Sequence, residues 1–351
     1  MRGFIRQLVM FDVADEIRLD SLKTALRIPE AERTPAFSRP APDYVRFERA
    51  PVVKTLELDL FEARAKFYDY GVVSVEIDRQ FSLEWHELIE LAASLLSDPT
   101  VEQRATDLLK PQLEAARAAL VKPYKTWLDE DYVIITVTPE PGMDNAADLV
   151  AQYGREIAQI VRGENRPLSE SELREILEAR LSYYPNDLLV VGWSAAFVFD
   201  PPAAAGPTLQ LLEYANTQLL EFRHYDELLT GVLAEVYRSI DKGTGVWRRW
   251  GLAGEAERLN TIRLDVIEIA ERTETSIKFL SDMFYARMYR LAAARVGVPD
   301  YRRLVDQKLQ TAGELYEFMV DRFDSGRGFF LEMVVVIILL IEIVFLFRGK
   351  G

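Results

Sequence analysis

The chain has 351 residues, enough for one large domain or two ordinary ones. Its 42 Lys and Arg against 56 Asp and Glu give a net charge of −14, and the sequence has no basic block. Because nucleic-acid binding needs a basic surface, we expect no direct contact with DNA or RNA.

The first 200 residues alternate between strand-like and helix-like patterns. Five segments predict strands or strand pairs: Phe4–Val13, Val52–Phe61, Lys66–Ile77, Tyr132–Thr138 and Asp187–Asp200. Helical spacing occurs at Asp20–Leu26, Ser82–Ser97, Val101–Val121, Ala146–Val161 and Ser169–Leu181. No regular βαβ rhythm is present, so the sequence predicts an α+β domain with a largely antiparallel sheet over residues 1–200.

The segment 201–325 is predicted to be helical, after a boundary at Pro201–Pro207. Its last helix carries apolar residues in four-three alternation: Val305, Leu309, Ala312, Tyr316, Met319 and Phe323. This spacing is that of a coiled-coil seam. An intramolecular helical hairpin, with the helix that ends at Val296 folding back, explains the seam as well as an intermolecular coiled coil does, and both can hold.

The tail, 326–351, contains the most apolar segment of the chain, Phe329–Phe347, with two charges in nineteen residues. At ~1.5 Å per residue, a helix of that length spans the ~30 Å hydrocarbon core of a bilayer. We therefore expect a single transmembrane tail anchor, a buried core helix being the alternative. The expected anchor residues are Phe329, Phe330, Glu332, Glu342, Phe345, Phe347 and Arg348. Glu342 would either extend toward the head groups or form a hydrogen bond with a neighbouring copy.

Location follows from the other end of the chain. Met1–Asp20 has no apolar run of signal-peptide length, because Asp12, Asp15 and Glu16 interrupt it. Cysteine is absent, which gives no disulfide argument for export. We therefore expect a single-pass protein of the inner (cytoplasmic) membrane with its large domain in the cytoplasm.

The tail also resembles a known family. Phe284–Phe347 combines a helical hairpin with an apolar segment holding two glutamates ten residues apart, Glu332 and Glu342. Together with Val13–Leu22 and Tyr70–Val75, it resembles the required-for-meiotic-nuclear-division family (domain of unknown function 155). The resemblance implies a membrane-anchored, oligomeric prokaryotic relative, and it carries over no catalytic residue.

Chemistry-bearing motifs are scarce. The two histidines, His86 and His224, lie far apart in the sequence, and Glu84–Glu87 could supply a carboxylate–imidazole pair around His86. No P-loop, zinc-type spacing or nucleophile elbow occurs. We therefore predict no catalytic residue, no metal and no cofactor. The cluster Trp247–Trp250, with two cations between its tryptophans, is a partner-binding knob, an interfacial anchor or a cap on the helices.

The functional expectation is a non-enzymatic, membrane-tethered scaffold. It would self-associate as a homo-oligomer through its C-terminal helices and present the α+β domain to a protein partner, with the lipid bilayer as its support. The alternative is a membrane-held enzyme or ligand sensor with a pocket in the α+β domain. A pocket with converging polar groups would favour the alternative, and a long helical stalk would favour the scaffold.

Overall fold

The structure, a computed structural model, describes residues 1–28, 51–58, 61–241, 257–264, 266–267 and 283–348. Within the helices, the side chains of 239–241, 320–334 and 340–348 are not among the described residues. The Trp247–Trp250 cluster lies outside them.

The elements alternate between strands and helices up to residue 199 and are helical afterwards. The strands are β1 Arg2–Ile17, β2 Val52–Leu56, β3 Glu62–Phe67, β4 Val72–Ser82, β5 Leu120–Val137, β6 Arg180–Leu181, β7 Leu188–Val191 and β8 Ala195–Phe199. The helices are α1 Leu19–Ala25, α2 Trp85–Leu96, α3 Val101–Ala115, α4 Ala146–Arg162, α5 Glu170–Glu178, α6 Gly206–Asp241, α7 Met283–Val296 and α8 Val298–Arg348.

Local chemistry explains several helix ends. The side-chain oxygen of Asn145 accepts hydrogen bonds from the backbone N–H groups of Ala147 and Asp148, which caps α4. Gly163 ends the same helix with φ of 72°, a conformation that glycine adopts without steric cost. Ser169 caps α5 by accepting from the N–H of Glu172.

The described strands form one eight-stranded sheet in the order β2-β3-β4-β1-β5-β8-β7-β6. Every pairing is antiparallel except β5 with β8. The sheet is therefore largely antiparallel, with its two long strands, β1 and β5, side by side at the centre.

The chain divides into two compact units. The first consists of Met1–His224 and Arg272–Tyr301, and the second of Tyr225–Glu271 and Arg302–Gly351. The first unit contains the whole sheet and α6 up to His224.

One face of the sheet, which we call the apolar face, packs against α1 to α5. Side chains at every second strand position, such as Val9, Phe67 and Val75, pack with α1 and α3. Farther along the sheet, Ile135 and Phe197 belong to a second core with α2, α4 and α5. Strand alternation thus buries apolar side chains along this face in two clusters.

The opposite face, which we call the polar face, carries the charged side chains of the same strands and lies against α6. On α6, Glu213, Asn216, Thr217, Gln218 and Glu221 are all buried, none more than 3% exposed. A helix that buries this many polar groups is stable only where each finds a partner. The polar face is therefore the candidate location of a functional site.

The second unit is a helical packing with its own small core. Val232 and Val236 of α6 pack with Leu259, Ala312 and Met319. A polar contact accompanies this core, because the Lys308 Nζ donates to both the backbone and the carboxylate oxygen of Asp226.

The predicted transmembrane anchor is wrong. Within the part of the chain that the structure describes, no helix is long and apolar enough to cross a bilayer. The segment continues α8, which begins at Val298. The membrane part of the predicted fold class, the tail-anchor assignment and the inner-membrane location are corrected by this finding.

Candidate functional site

Six charged side chains meet between the polar face and α6, and we call them the ion-pair cluster. Its members are Arg6 on β1, Arg64 and Lys66 on β3, Glu76 and Asp78 on β4, and Glu213 on α6. The strand register explains the meeting, because Arg6 lies opposite Asp78 and Arg64 lies opposite Glu76 on neighbouring strands. Cross-strand neighbours of opposite charge attract one another.

The cluster is closely paired. The Arg6 guanidinium donates from Nε and Nη2 to the two Asp78 carboxylate oxygens, each at 2.7 Å. Glu76 accepts a hydrogen bond from Arg6 at 3.0 Å and forms ion pairs with Arg64 at 3.1 Å and with Lys66 at 2.6 Å. Lys66 also reaches Glu213 at 2.5 Å, which ties α6 to the sheet.

Burial and pairing set the protonation states in this cluster. Burial raises the pKa of Glu76, but Lys66, Arg6 and Arg64 outweigh it and bring the pKa to about 2. Burial dominates at Glu213, whose pKa is raised although Lys66 lowers it. The pKa of Lys66 is raised, because Glu213 and Glu76 outweigh the opposing effect of burial. The charges of the cluster therefore balance one another, and the Lys66–Glu213 pair fixes α6 to the sheet.

A second polar group lies at the other end of the polar face, where α6 leaves the first unit. His224 Nδ1 lies 2.7 Å from Oδ2 of Asp12, whose side chain is only 2% exposed. The Tyr124 ring stacks on the imidazole, with ring centres 4.8 Å apart and planes 15° from parallel. We call Asp12, His224 and Tyr124 the imidazole site.

Two further groups complete its surroundings. The Tyr124 hydroxyl donates to Asp15 Oδ1 at 2.7 Å, and Lys122 Nζ lies 2.7 Å from the other Asp15 oxygen. Burial raises the pKa of Asp12, His224 lowers it and Asp15 raises it, with a raised net result. Burial also raises the pKa of Tyr124, with Asp12 adding to the effect.

The sheet is irregular at the imidazole site. Between Asp12 and Ala14, β1 has one residue where β5 has the four residues 124–127 between Pro123 and Leu128. Lys122 has φ of +46°, a conformation that costs free energy for a residue with a side chain. Gly71 approaches from the β3–β4 turn with φ of +97°, and a Cβ there would lie 1.8 Å from the Ala14 carbonyl oxygen. Bulges and strained residues gather at functional positions more often than elsewhere.

The sequence-predicted residues do not meet at this face. His86 is exposed in the first turn of α2, and the Glu87 side chain accepts a hydrogen bond from the Glu84 backbone N–H at 2.8 Å instead of pairing with the imidazole.

The predicted seam on α8 is buried only in part. Val305, Ala312 and Met319 are buried and Leu309 and Tyr316 are half-buried, whereas the Phe323 side chain is not described. The expected anchor residues lie on α8, with side chains outside the described set. The seam's role in an oligomer stays a prediction.

Other candidate sites are sparse. Over the described ranges, no group of three or more His, Cys, Asp or Glu side chains is placed to hold a metal ion. An open recess of about 540 Å³ lies beside the β2–β3 hairpin, lined by Thr55–Leu58 and Phe61–Arg64. The Arg64 guanidinium there is already paired with Glu76 and Asp78.

Sequence reasoning missed the imidazole site and the ion-pair cluster. Asp12 was noted only as an acid interrupting an apolar run, and His224 only as an isolated histidine. The charges at Arg64, Lys66, Glu76 and Asp78 have the alternation of a solvent-facing strand side. Nothing local in the sequence indicates that α6 covers them.

Comparison with known proteins gives one family. The family model described as "Uncharacterized protein MJ0711, N-terminal domain" matches residues 2–205. The uncharacterized protein MJ0711 of Methanocaldococcus jannaschii is 20% identical over 188 residues, which cover 54% of this chain and 58% of that protein. The chain thus aligns with less than two thirds of that relative's length. No solved structure matches the chain.

This result corrects the family predicted from the tail. The resemblance to the required-for-meiotic-nuclear-division family depended mainly on Phe284–Phe347, which lies outside the matched residues 2–205. A helix with an apolar run and two glutamates is a common pattern, so it carried little family information.

Proposed function

The chain belongs to the family of the uncharacterized protein MJ0711 N-terminal domain, a name that assigns no activity, and we propose from its geometry that it is a non-enzymatic assembly module. In this proposal, the C-terminal helix α8 joins copies of the chain, and the α+β unit is the platform that each copy presents to a protein partner.

The observation that carries the proposal is an uncovered apolar turn of α8. Val335, Val336, Ile337, Ile338 and Leu339 are 48–56% exposed. At 100° per residue, five consecutive positions surround the helix completely. Such a turn leaves apolar area in water on every side, and covering it is favourable by roughly 25 cal/mol per Å².

A second copy is the occupant that the helix itself favours. α8 is one continuous helix of 51 residues, so copies laid side by side in register place the same turn against itself. Three seam positions are already used within the second unit: Ala312 and Met319 pack in its core, and Val305 is buried. The contact between copies would therefore use the part of α8 beyond them. One neighbouring helix covers only a stripe, and we therefore expect a bundle of three or more copies.

The α+β unit supports a role as a platform for a protein partner. Tyr183 and Tyr184 are 54% and 61% exposed, and the Asp187 carboxylate accepts both of their backbone N–H groups, at 2.7 and 2.8 Å. Tyrosine is enriched at protein interfaces. Because the chain has a net charge of −14, which disfavours binding to phosphate groups, we expect a protein and not a nucleic acid at this loop.

The test is sedimentation equilibrium of the full chain in detergent-free buffer. We expect an oligomer for the wild type and a lower mass for the double variant Ile337→Gln/Ile338→Gln, because the glutamines make covering the turn unfavourable. The matched control is Glu314→Gln/Glu317→Gln, which changes two other positions of α8 and should leave the mass unchanged. A monomeric wild type, or an oligomer unaffected by the glutamines, would refute the proposal, even if the chain bound lipid vesicles.

A further inference from the structure

We propose that Asp12 and His224 form a proton-operated latch that holds the middle of α6 on the irregular end of the sheet. The latch is tight while an imidazolium faces the buried carboxylate and looser after the imidazole loses its proton. It concerns the first unit alone and does not depend on the proposed assembly.

The placement of α6 supports the latch. Described side chains of α6 attach it to the sheet and to the β3–β4 turn: Glu213 to Lys66, Thr217 to the Tyr70 hydroxyl at 3.0 Å, Arg223 to Glu130, and His224 to Asp12. The His224 contact is the last of these before the second unit begins at Tyr225. A change at His224 therefore acts on the final turn of α6 in the first unit.

The chemistry of the pair makes it sensitive near neutral pH. Histidine is the side chain that ordinarily changes charge between pH 5 and 8. When the imidazole is neutral, its Nδ1 still lies 2.7 Å from Asp12 Oδ2, but the Coulomb attraction between a cation and the carboxylate is lost. Asp12 then remains as a buried carboxylate without an opposing charge, which costs free energy.

The neighbouring charges reinforce this direction. Asp15 on β1 and Glu221 on α6 both lie close enough to act on the site, and both are acidic. Lys122 on β5 is paired with Asp15, and Arg223, next to His224 on α6, bonds to Glu130. The ring of Tyr124 covers the imidazole and carries no charge near neutral pH. Loss of the imidazolium therefore leaves the immediate surroundings more negative.

Backbone hydrogen bonds near the imidazole site make a loosening of the latch measurable. The N–H of Val13 donates to the Gly71 carbonyl at 3.1 Å, and that of Ile17 to the Asp69 carbonyl at 2.9 Å. These hydrogen bonds hold the bulged part of β1 on the β3–β4 turn. If the latch loosens, their amide hydrogens should exchange with solvent more readily.

The test is hydrogen exchange of the full chain between pH 5.5 and 8, with rates corrected for intrinsic exchange. In the wild type we expect protection of the amides in 12–17 and 217–224 to fall about tenfold as pH rises, because the attraction of the imidazolium for the Asp12 carboxylate is lost; a tenfold fall corresponds to about 1.4 kcal/mol. In Asp12→Asn, which keeps the shape but not the charge, protection should not vary with pH. The matched control is His86→Gln, which removes the other histidine and should preserve the wild-type behaviour.

Two further results would decide the matter. His224→Gln should give pH-independent protection close to that of the wild type at pH 8, which keeps the test available if Asp12→Asn does not fold. Protection that is flat with pH in the wild type, or a fall that persists in Asp12→Asn or His224→Gln, would overturn the latch.

Discussion

The two faces of the sheet are both covered by helices, yet they are buried by opposite chemistry. The apolar face contributes side chains such as Phe67, Val75 and Phe197, none of them measurably exposed. The polar face contributes the charged Arg6 and Glu76 from the same sheet, and Glu213 of α6 reaches their neighbour Lys66. Burying apolar area is favourable in itself, whereas burying a charge costs free energy unless that charge is paired.

This difference teaches how each face should respond to change. An apolar layer loses stability in proportion to the volume removed, because the remaining contacts persist. A compensated charge cluster depends on its complete set, because removing one member leaves another buried and unpaired. The polar face should therefore be the more brittle of the two.

The largest expected effect comes from removing one cation of the ion-pair cluster. Lys66→Met keeps the length of the side chain but leaves Glu76 and Glu213 without their shared partner. We expect a loss of about 3–5 kcal/mol in the free energy of unfolding, measured by urea denaturation. The double variant Lys66→Met/Glu213→Met should recover part of that loss, because it removes the stranded carboxylate. A single variant within ~1 kcal/mol of the wild type would show that the two faces do not differ as argued.

A second effect distinguishes the faces by their response to acid. Glu76 has a pKa of about 2 in the folded chain, against an ordinary value of 4.5. Between those values the unfolded chain binds more protons, so the contribution of Glu76 is complete above about pH 4.5 and is lost as pH falls toward about 2. We expect this loss to be on the order of 2–3 kcal/mol.

Urea denaturation at a series of pH values from 5 to 2.5 measures that dependence. Glu76→Gln should make it shallower, whereas Leu109→Ala, a deletion in α3 where it packs on the apolar face, should lower stability equally at every pH. Glu213 acts in the opposite direction, because its raised pKa favours folding at low pH, so Glu213→Gln should make the acid dependence steeper. An unchanged slope in Glu76→Gln would mean that the carboxylate is not held as the geometry indicates.

The apolar face was largely predictable from the sequence. Alternation at Phe4–Val13 and the apolar run Tyr132–Thr138 fall on the two central strands, β1 and β5. Periodicity finds such segments because their burial depends on their own side chains. The polar face was not predictable in this way, because Glu213 meets Lys66 across 147 residues of sequence.

The candidate site shows the same limit. Asp12 and His224 have no motif between them, and their meeting depends on where α6 crosses the sheet. The tail shows the reverse error, in which a strong local signal at Phe329–Phe347 suggested a membrane span and a family that the structure and the comparisons do not support. Local pattern therefore located the elements but not the chemistry that forms when distant elements meet.

The smallest expected effect comes from an ion pair on the outside of the apolar face. Arg155 on α4 pairs with Glu170 on α5, and both side chains are about two-thirds exposed, at 67% and 70%. Water already solvates both charges, and holding two long side chains together costs conformational entropy, so exposed pairs contribute under ~1 kcal/mol. Arg155→Ala should therefore change the free energy of unfolding by less than that in urea denaturation, and added salt should reduce the change further. The Lys66 substitution removes a cation from two acidic partners, Glu76 and Glu213, and the Arg155 substitution removes a cation from one, Glu170. If both substitutions lower the free energy of unfolding by the same amount, the loss of an ion pair alone explains the effect. If the loss is several-fold larger for Lys66, the difference comes from burial beneath α6.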